Sequence, residues 1–598
     1  MTSCRFENRL TGQARVLSGF RTRITASRPE ELTRAFERIE AERANGAWVA
    51  LLLDYELGEW LEPSLAVSAR HDIPGQRPRL TALVFEAMHL ESPWNASHTD
   101  HACITTITPE ITKSQYIERI EKIHQWIEQG DVYQVNATFA LKVSTVGEPE
   151  ALYRKIAHQH PVSFAAYIED QSQTVLSFSP ELFLERCGQT LTTRPMKGTA
   201  PRSSDPETDR QTGLALQNSE KNRAENLMIV DLLRNDLGRV ANPGSVRAEP
   251  LFSLEKYPSV WTMTSTVQAE IPTNTSLQNI LTALFPCGSV TGAPKIKAMQ
   301  RIQQTESSPR GLYCGSIGWL APDGDFCLNV AIRTLTLDEN GHGQYHVGGG
   351  IVHDSDAEDE WQECFWKARI LTQAQPSLIE TMHADNRGNI ALLALHLDRL
   401  ASSARALNFQ PPERKYIVEA LSTKISASLS QINEQSDLRI RLLLSAAGTL
   451  TIETAPLPAL QGIQKVAIAP ELLDSQHPLL QHKTTFRPWY TETTKWLTTH
   501  PDYFDLIYFN EQGELCEGSR SNIYIKKNGQ WITPVLSSGL LGGVYRRHLM
   551  NTQQIKEGTL TRADLMHPTA EIRLSNGLRG WFDVKFEPTS LLPGNLLP

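Results

Sequence analysis

The chain has 598 residues, 40% hydrophobic and 21% charged, a composition that supports several globular domains with cores of their own. Its formal net charge of −9 excludes the broad basic surface of a nucleic-acid-binding protein, so an anionic ligand must be met by local cations or by a metal. The eight cysteines form no CxxC pair and match neither a zinc site nor a compact disulfide framework. The N-terminal stretch has no apolar run for a signal peptide, and no segment approaches the roughly 20 apolar residues of a membrane span, so a cytoplasmic protein without a membrane partner is expected.

In chain order, strands are expected at 48–53 and 80–85, separated by the loop-like DIPGQRP at 72–78. YIERIEKIHQWIEQGD then turns to helical period, with Ile117, Ile120, His124 and Ile127 on one face and Gly130 as a stop. Strand-like PVSFAAYI and TVLSFSPELFL follow. Residues 214–240 carry one long helical pattern containing AENLMIVDLLRNDLG, apolar almost all round and therefore expected between layers. Strands separated by DGD and DENGHG turns are expected over 311–352.

The segment 371–389, with Pro376 and an Asn-Arg-Gly turn, reads as a boundary. Beyond it, ALLALHLDRLASSARAL places Leu393, Leu397, Leu400, Ala404 and Leu407 on one helical face, and RIRLLLSAAGTLTIETA reads as a hairpin turning at Gly448. No period of 20 to 50 residues recurs, which excludes a solenoid. The expected division is 1–372, a boundary and start of the second unit at 373–390, and 391–598.

Four segments of the first unit carry unusual chemistry. In RPMKGTAPR, Lys197 is followed by Gly-Thr-Ala-Pro, which suggests a shaped connection. A lone lysine beside a turn is ordinarily a solvated group, but one held there with an altered pKa can act as a nucleophile or an acid. In AENLMIVDLLRND, Glu225, Asp231 and Asp236 punctuate an apolar run, and buried carboxylates need partners or a cation. In GGGIVHDSDAEDEWQECFWKA, Glu360 and Glu363 share a helical face and Lys367 lies one turn beyond Glu363, a spacing that a solvated, self-paired helix also explains. In the strand-like VAIRTL, Arg333 sits between apolar neighbours and calls for a carboxylate. Together, carboxylates for Mg²⁺, cations for acid groups and the glycines 348–350 for close backbone approach fit a small dicarboxylate.

These segments, with GDVYQVN, SFSPELFL, GSVTGAPKIKAM, GLYCGSIG and LNVAIRTL, resemble the chorismate-utilising family, which includes the large subunits of anthranilate synthase and 4-amino-4-deoxychorismate synthase, over residues from about 40 to 370. The resemblance implies an α+β fold with large antiparallel sheets. It also implies Mg²⁺ held by Glu225 and Glu363 with Glu360 nearby, a substrate carboxylate held by Arg333 and Tyr313, an oxygen cradled by the amides of Gly348, Gly349 and Gly350, and Lys367 completing the charge balance. Lys197 stands where the anthranilate branch usually has Ala and the aminodeoxychorismate branch commonly has Lys. By that resemblance, its amine attacks C2 of chorismate as the C4 hydroxyl departs, and ammonia then attacks C4. Two departures are Thr262, where many members have His, and Asn222, where an acidic residue is common. The N-terminal region is shorter than in anthranilate synthases, which speaks against a tryptophan feedback site. With no G-x-C-x-G glutaminase elbow in the sequence, a separate glutamine amidotransferase subunit is the expected ammonia source.

In the second unit, HLDRLASSARALNF, HKTTFRPWY, LCEGSRSNIYIKKNGQWITP and SSGLLGGVYRRHL each have an ordinary surface reading. In that order they resemble fold-type IV pyridoxal-phosphate (PLP) enzymes, among them aminodeoxychorismate lyase and the branched-chain and D-amino acid aminotransferases, over roughly 378–590. The resemblance implies a two-lobed α/β unit, commonly a homodimer. It makes Lys483 the catalytic lysine that carries PLP, Glu517 the acid on the pyridine nitrogen, and Arg399 with the amides of Val544 and Tyr545 the phosphate site, next to a turn formed by Ser521 and Asn522. Fused to a chorismate-utilising unit, this region is expected to be a lyase yielding 4-aminobenzoate for folate synthesis. The alternatives are an anthranilate-forming synthase joined to an aminotransferase, and a non-catalytic scaffold.

Overall fold

The structure, a computed structural model, describes residues 2–587 apart from 67–76, 97–100, 172, 204, 258–259 and 431–436. Most of the loop expected at 72–78 lies outside the described residues. The chain divides into two compact units, Met1–Ala374 and Gln375–Pro598.

Among the described residues of the first unit, seventeen strands form one hydrogen-bonded network. Its long central pair is antiparallel: Gln134–Val146 runs against His342–Ile351 with Gly348 opposite Thr138 and Gly350 opposite Asn136. Strand Trp48–Leu53 shows why its sequence is apolar throughout. Val49, Leu51 and Leu53 enter the main core, whereas Ala50 and Leu52 enter a second core on the other face, so the two-residue period of a strand feeds both sides. It pairs with Leu80–Glu91 and with Ser316–Leu320. Helices Leu32–Ala44, Lys113–Glu128 and Glu220–Gly238 cover the main core.

Several expectations change. Helix Lys113–Glu128 buries Tyr116, Ile120, Ile123 and Trp126, while Ile117, His124 and Ile127 are only half-buried. The buried stripe is centred one position away from the expected face because the aromatic Tyr116 and Trp126 belong to it. Gly130 does end the helix, at a φ of +75°. The long pattern at 214–240 is two helices, Pro206–Asn218 and Glu220–Gly238, separated at Ser219, whose side chain accepts from the Asn222 amide. The second is not buried all round: Leu227 is 43% exposed, and Asp231 pairs with Arg234 on an open face. Asp236 is buried and meets Lys295 at 2.7 Å. VAIRTL is not one strand, because Arg333 takes a φ of +51° between strands Phe326–Val330 and Thr334–Leu337. Met196–Pro201 is itself a strand.

The second unit has two lobes. Leu378–Ala384, inside the segment read as a boundary, pairs along its whole length with Leu438–Leu444, which pairs in turn with Leu450–Pro456. Helices Leu393–Ala406 and Arg414–Leu429 belong to this lobe. The other lobe is an eight-stranded mixed sheet in which Gln464–Leu473 lies parallel to both Tyr503–Asn510 and Gly580–Phe586. Its two faces carry separate cores: Val466, Ile507 and Phe509 on one, Ala467, Leu506 and Tyr508 on the other. Among the described residues no helix is long and apolar enough to cross a membrane.

The corrected face of helix Lys113–Glu128 is testable by urea unfolding. Ile120→Ala should destabilise the first unit by about 2–5 kcal/mol, and Ile117→Ala by less than half of that. Equal losses would contradict the observed burial.

Candidate active sites

In the first unit one cleft of about 1380 Å³ is lined by Lys197, Glu225, Tyr313, Arg333, Gly348, Gly349, Gly350, Glu360, Glu363 and Lys367. Every site residue expected for this unit therefore faces one space. Lys197 gets there through a bulge: the pairing of Met196–Pro201 with Val260–Thr264 shifts register between Met196 and Thr199, and Gly198 takes a φ of +85°. A β-carbon on Gly198 would lie 2.9 Å from Asn222 Oδ1, so glycine is needed there for both conformation and space.

The glycines 348–350 have a geometric purpose. They are paired strand residues, and their missing side chains admit charged groups. A β-carbon on Gly350 would stand 3.0 Å from Lys197 Nζ, and one on Gly349 would stand 2.7 Å from Glu360 Oε2. Lys367 Nζ donates to the Gly348 carbonyl at 2.7 Å and pairs with Glu363 at 2.7 Å. Helix Ala357–Lys367, capped by the Asp356 carboxylate, presents Glu360, Glu363 and Lys367 from one side. Ser355 Oγ donates to Glu360 at 2.7 Å.

Electrostatically, desolvation lowers the Lys197 pKa against the opposing pull of Glu225 and raises that of Glu360. Lys367 chiefly holds Glu363 low. The donor chemistry of Glu225, Glu360 and Glu363 suits a hard cation such as Mg²⁺. In this structure, however, Glu363 is turned to Lys367, and among the described residues no three acidic, histidine or cysteine side chains converge on a metal position. Arg333 has no protein carboxylate within ion-pair distance among the described residues, which leaves its fork open to the substrate carboxylate expected for it. Tyr313 stacks on His346, with ring centroids 5.1 Å apart, and burial lowers the His346 pKa to about 4. Thr262 is buried away from the cleft-lining set, whereas Asn222 lines it.

Sequence reasoning missed Glu181 and Lys221, which line the same cleft. Glu181 accepts from Ser289 Oγ at 2.7 Å, and burial raises its pKa to about 7. Both Glu181 and Ser289 lie inside motifs noted above, SFSPELFL and GSVTGAPKIKAM. An acid in the short break between two apolar strands was the available signal.

In the second unit a cleft of about 580 Å³ is lined by Arg399, Lys483, Glu517 and Val544 among others. Tyr545 is absent from the lining. Its ring packs toward Gly580 and His548, which leaves only its backbone in the first turn of helix Val544–Asn551. Gly543, at that helix's start, has no room for a side chain, since a β-carbon would meet Asn522 Oδ1 at 1.9 Å. Glu517 is buried and accepts from the Tyr490 hydroxyl at 3.0 Å, the Leu541 amide at 3.0 Å and Asn522 Nδ2 at 3.1 Å. Burial nevertheless raises its pKa to about 8. Asp505, missed in sequence, holds the following turn through the Ser519 and Ser521 hydroxyls, both at 2.6 Å.

Lys483 Nζ donates to Thr381 Oγ1 at 3.3 Å. Desolvation, then Arg399, lower its pKa to about 7 against the opposing pull of Glu380. Glu380, also unforeseen, binds Arg399 Nε at 2.8 Å and Nη2 at 2.6 Å, and His396 Nδ1 at 2.6 Å. Burial opposes its ionisation, but Arg399 and His396 outweigh burial and hold it at about 2. An amine that is neutral near physiological pH, an anchored acid and a glycine-led helix start together fit PLP.

Each unit thus carries a lysine–carboxylate cleft on an enzyme-type scaffold, the first on an antiparallel sheet and the second on the two-lobed fold of type IV PLP enzymes. Residues 3–373 match the chorismate binding enzyme family, and residues 377–585 match class IV amino-transferases. The chain belongs to the chorismate binding enzyme family, with a class IV aminotransferase domain fused behind it. It is 42% identical over 264 residues to aminodeoxychorismate synthase component 1 of Salmonella typhimurium, a match covering 44% of this chain and 58% of that relative. It is 37% identical over 278 residues to an anthranilate synthase component 1 of Haloarcula marismortui, covering 46% of this chain and 56% of that one. The chain thus spans little more than half the length of these relatives. The fold of the first unit is shared with a structure described as a 2,3-dihydroxybenzoate-specific isochorismate synthase from Bacillus anthracis, with a TM-score of 0.51 at 21% identity, covering 62% of this chain and 95% of that one.

The Lys483 assignment predicts a titration. In cofactor-free protein, NMR of isotope-labelled lysine should show its amine losing its proton near pH 7, far below the ordinary 10.5. Glu380→Gln should move that midpoint lower still, because a carboxylate that raises the pKa has been removed. A midpoint near the ordinary value would refute the desolvated environment.

Proposed function

We propose that the chain aminates chorismate to 4-amino-4-deoxychorismate in its first unit and removes pyruvate from that product in its second, giving 4-aminobenzoate for folate synthesis. The observation that carries this reading is Lys197, whose ammonium nitrogen lies over Gly350 in a cleft of carboxylates. Desolvation favours its neutral, nucleophilic amine.

In the proposed first step the Lys197 amine bonds to C2 of chorismate, the ring double bonds shift and the C4–O bond breaks. Glu181, with its pKa raised to about 7, is suited to give the departing hydroxide its proton. Ammonia then bonds to C4, the double bonds shift back and Lys197 leaves C2, so the sum is chorismate plus ammonia to product plus water. Arg333, Tyr313 and Lys367 hold substrate carboxyl oxygens. Mg²⁺, held by Glu225 and Glu363 with Glu360 nearby, would bind the ring carboxylate and assist loss of the hydroxyl. A glutamine amidotransferase subunit is the proposed ammonia source.

In the second unit, PLP would supply an electron sink for the substrate's C4 nitrogen. Glu517 would pair with the pyridine nitrogen, whose positive charge would favour the ionised carboxylate, and Arg399 with the Val544 and Tyr545 amides would hold the phosphate. The Lys483 amine, neutral above about pH 7, takes the C4 proton. Elimination of pyruvate follows, favoured by aromatisation. The match to an anthranilate synthase component favours a second reading, in which the first unit forms anthranilate and the second transfers an amino group.

Product analysis separates the two. Supplied with chorismate, ammonia, Mg²⁺ and PLP, the chain should release 4-aminobenzoate and pyruvate; exclusive anthranilate would overturn the proposal. Lys483→Ala should leave amination intact and accumulate 4-amino-4-deoxychorismate, which an added independent lyase converts to 4-aminobenzoate. Wild-type 4-aminobenzoate formation by this variant would remove Lys483 from the mechanism. Lys197→Ala should lower the amination rate by roughly a hundredfold or more, the scale of a lost catalytic group, and a full rate with the 4-amino product would exclude the lysine as nucleophile.

A further inference from the structure

Beside the Lys483 cleft, against the sheet of Leu378–Ala384 and Leu438–Leu444, lies a cavity of about 780 Å³. Arg439, Arg441, Arg487, Arg520 and Lys483 line it, and none of its lining residues is acidic. Arg439, Arg441 and Arg520 are exposed and Arg487 is half-buried, so the wall beside Lys483 carries an unbalanced positive field that attracts anions.

The cations are not equivalent. Arg520 is engaged by its own surroundings, with Nε donating to the Phe504 carbonyl at 2.7 Å and its guanidinium over the Phe504 ring at 4.7 Å. Arg399, in the adjoining cleft, is already neutralised by Glu380. Lys483 contributes little positive charge above about pH 7. Arg439, Arg441 and Arg487 remain.

Arg487 follows Lys483 by four residues in an irregular segment. Among the described residues it has neither an ion-pair partner nor a side-chain hydrogen bond, although burial weighs on its charge. Arg439 and Arg441 are alternate residues of one strand and so share a face, with Arg441 opposite Thr381, the residue that receives Lys483. Glu453 faces Arg441 across the next strand pair, beyond ion-pair distance. Three unmatched forks thus reach the cavity from two elements, Arg487 from the lysine segment and Arg439 and Arg441 from the sheet.

We infer that this cavity selects a substrate bearing two carboxylates, Arg487 taking one and the Arg439–Arg441 pair the other. The inference rests on the reading of the second unit as a PLP enzyme acting on an amine, and it deepens that reading by naming the residues that set its substrate class. An α-amino acid with one carboxylate would engage only one of these two groups of arginines. A planar fork also binds carboxylate through two parallel hydrogen bonds, which ammonium cannot copy.

The test uses the full chain loaded with PLP and supplied with 4-amino-4-deoxychorismate. Arg487→Gln and Arg441→Gln should each raise KM by roughly tenfold or more, the scale of a lost charge-assisted contact, with a smaller change in kcat. Arg487→Lys should recover part of the loss. Retained cofactor absorbance separates loss of substrate binding from loss of the folded site. Without ammonia, chorismate (two carboxylates, no amine) should compete with the lyase substrate, whereas 4-hydroxybenzoate (one carboxylate) at the same concentration should not. Arg487→Gln should abolish that competition. Unchanged KM in both variants, or equal competition by the two probes, would overturn the cavity assignment while the lyase reading stands. A wild-type chain inert toward 4-amino-4-deoxychorismate would instead overturn the lyase reading and this inference with it.

Discussion

A lysine amine deprived of water is the constraint around which both units are arranged. An ammonium ion in a poorly hydrated cleft loses stability relative to the neutral amine. Desolvation is the leading cause of the lowered pKa at Lys197 and at Lys483 alike. The two scaffolds reach this condition differently. At Lys197 a bulged strand and the side-chain-free surface of Gly350 make the space. At Lys483 an irregular segment between helix and sheet places the amine against Thr381.

Keeping such an amine in place requires neighbours that do not simply neutralise it. Glu380 illustrates the solution: its carboxylate is fully committed to Arg399 and His396, so it fixes Arg399 without pairing with Lys483. Lys367 has the same part in the first cleft, holding Glu363 while anchored to the Gly348 carbonyl. Ion pairs of this kind set the field around the reactive group, and because Glu380 is buried, removing Arg399 would leave its carboxylate short of compensation, whereas the Lys367–Glu363 pair is open to solvent.

What could be read in the sequence follows from what is local. Strand Trp48–Leu53, the Gly130 stop and the Gly448 hairpin depend on neighbours a few residues away and matched their expected form. The helix face at 113–128 slipped by one position because an aliphatic count passed over Tyr116 and Trp126. The single helix expected at 214–240 broke at Ser219, a capping residue whose side chain competes locally for backbone amides. Among candidate site residues, charged groups inside ordered motifs were legible as a set, and those of the first unit do line one cleft. Glu181, Glu380 and Asp505 were not legible as functional groups. Glu380 and Asp505 are acids within apolar strands and Glu181 sits in the short break between two strands, and the importance of each comes from partners distant in sequence: Arg399, the Ser519–Ser521 turn and Ser289. The conformation of Arg333 was hidden too, since its positive φ lies at the junction of two strands and the side-chain pattern of VAIRTL does not report backbone angles.

The charge balance of the two clefts also differs in a way that bears on how each would take an anionic ring. The first is lined by four cations, Lys197, Lys221, Arg333 and Lys367, and four carboxylates, Glu181, Glu225, Glu360 and Glu363. With Lys197 neutral as the proposed nucleophile, adding a dicarboxylate to that set leaves about three negative charges, and a divalent cation among the glutamates removes most of the excess. Protonation of Glu181, whose pKa is near 7, relieves part of it and couples proton supply to substrate binding. The cavity beside Lys483 has the opposite imbalance, with five basic residues in its lining and no acid. There a dicarboxylate is itself the missing counter-charge, and a metal would worsen the balance. The same anionic ring therefore calls for a cation in one unit and for none in the other, which is why the proposed Mg²⁺ belongs with Glu225 and Glu363 alone.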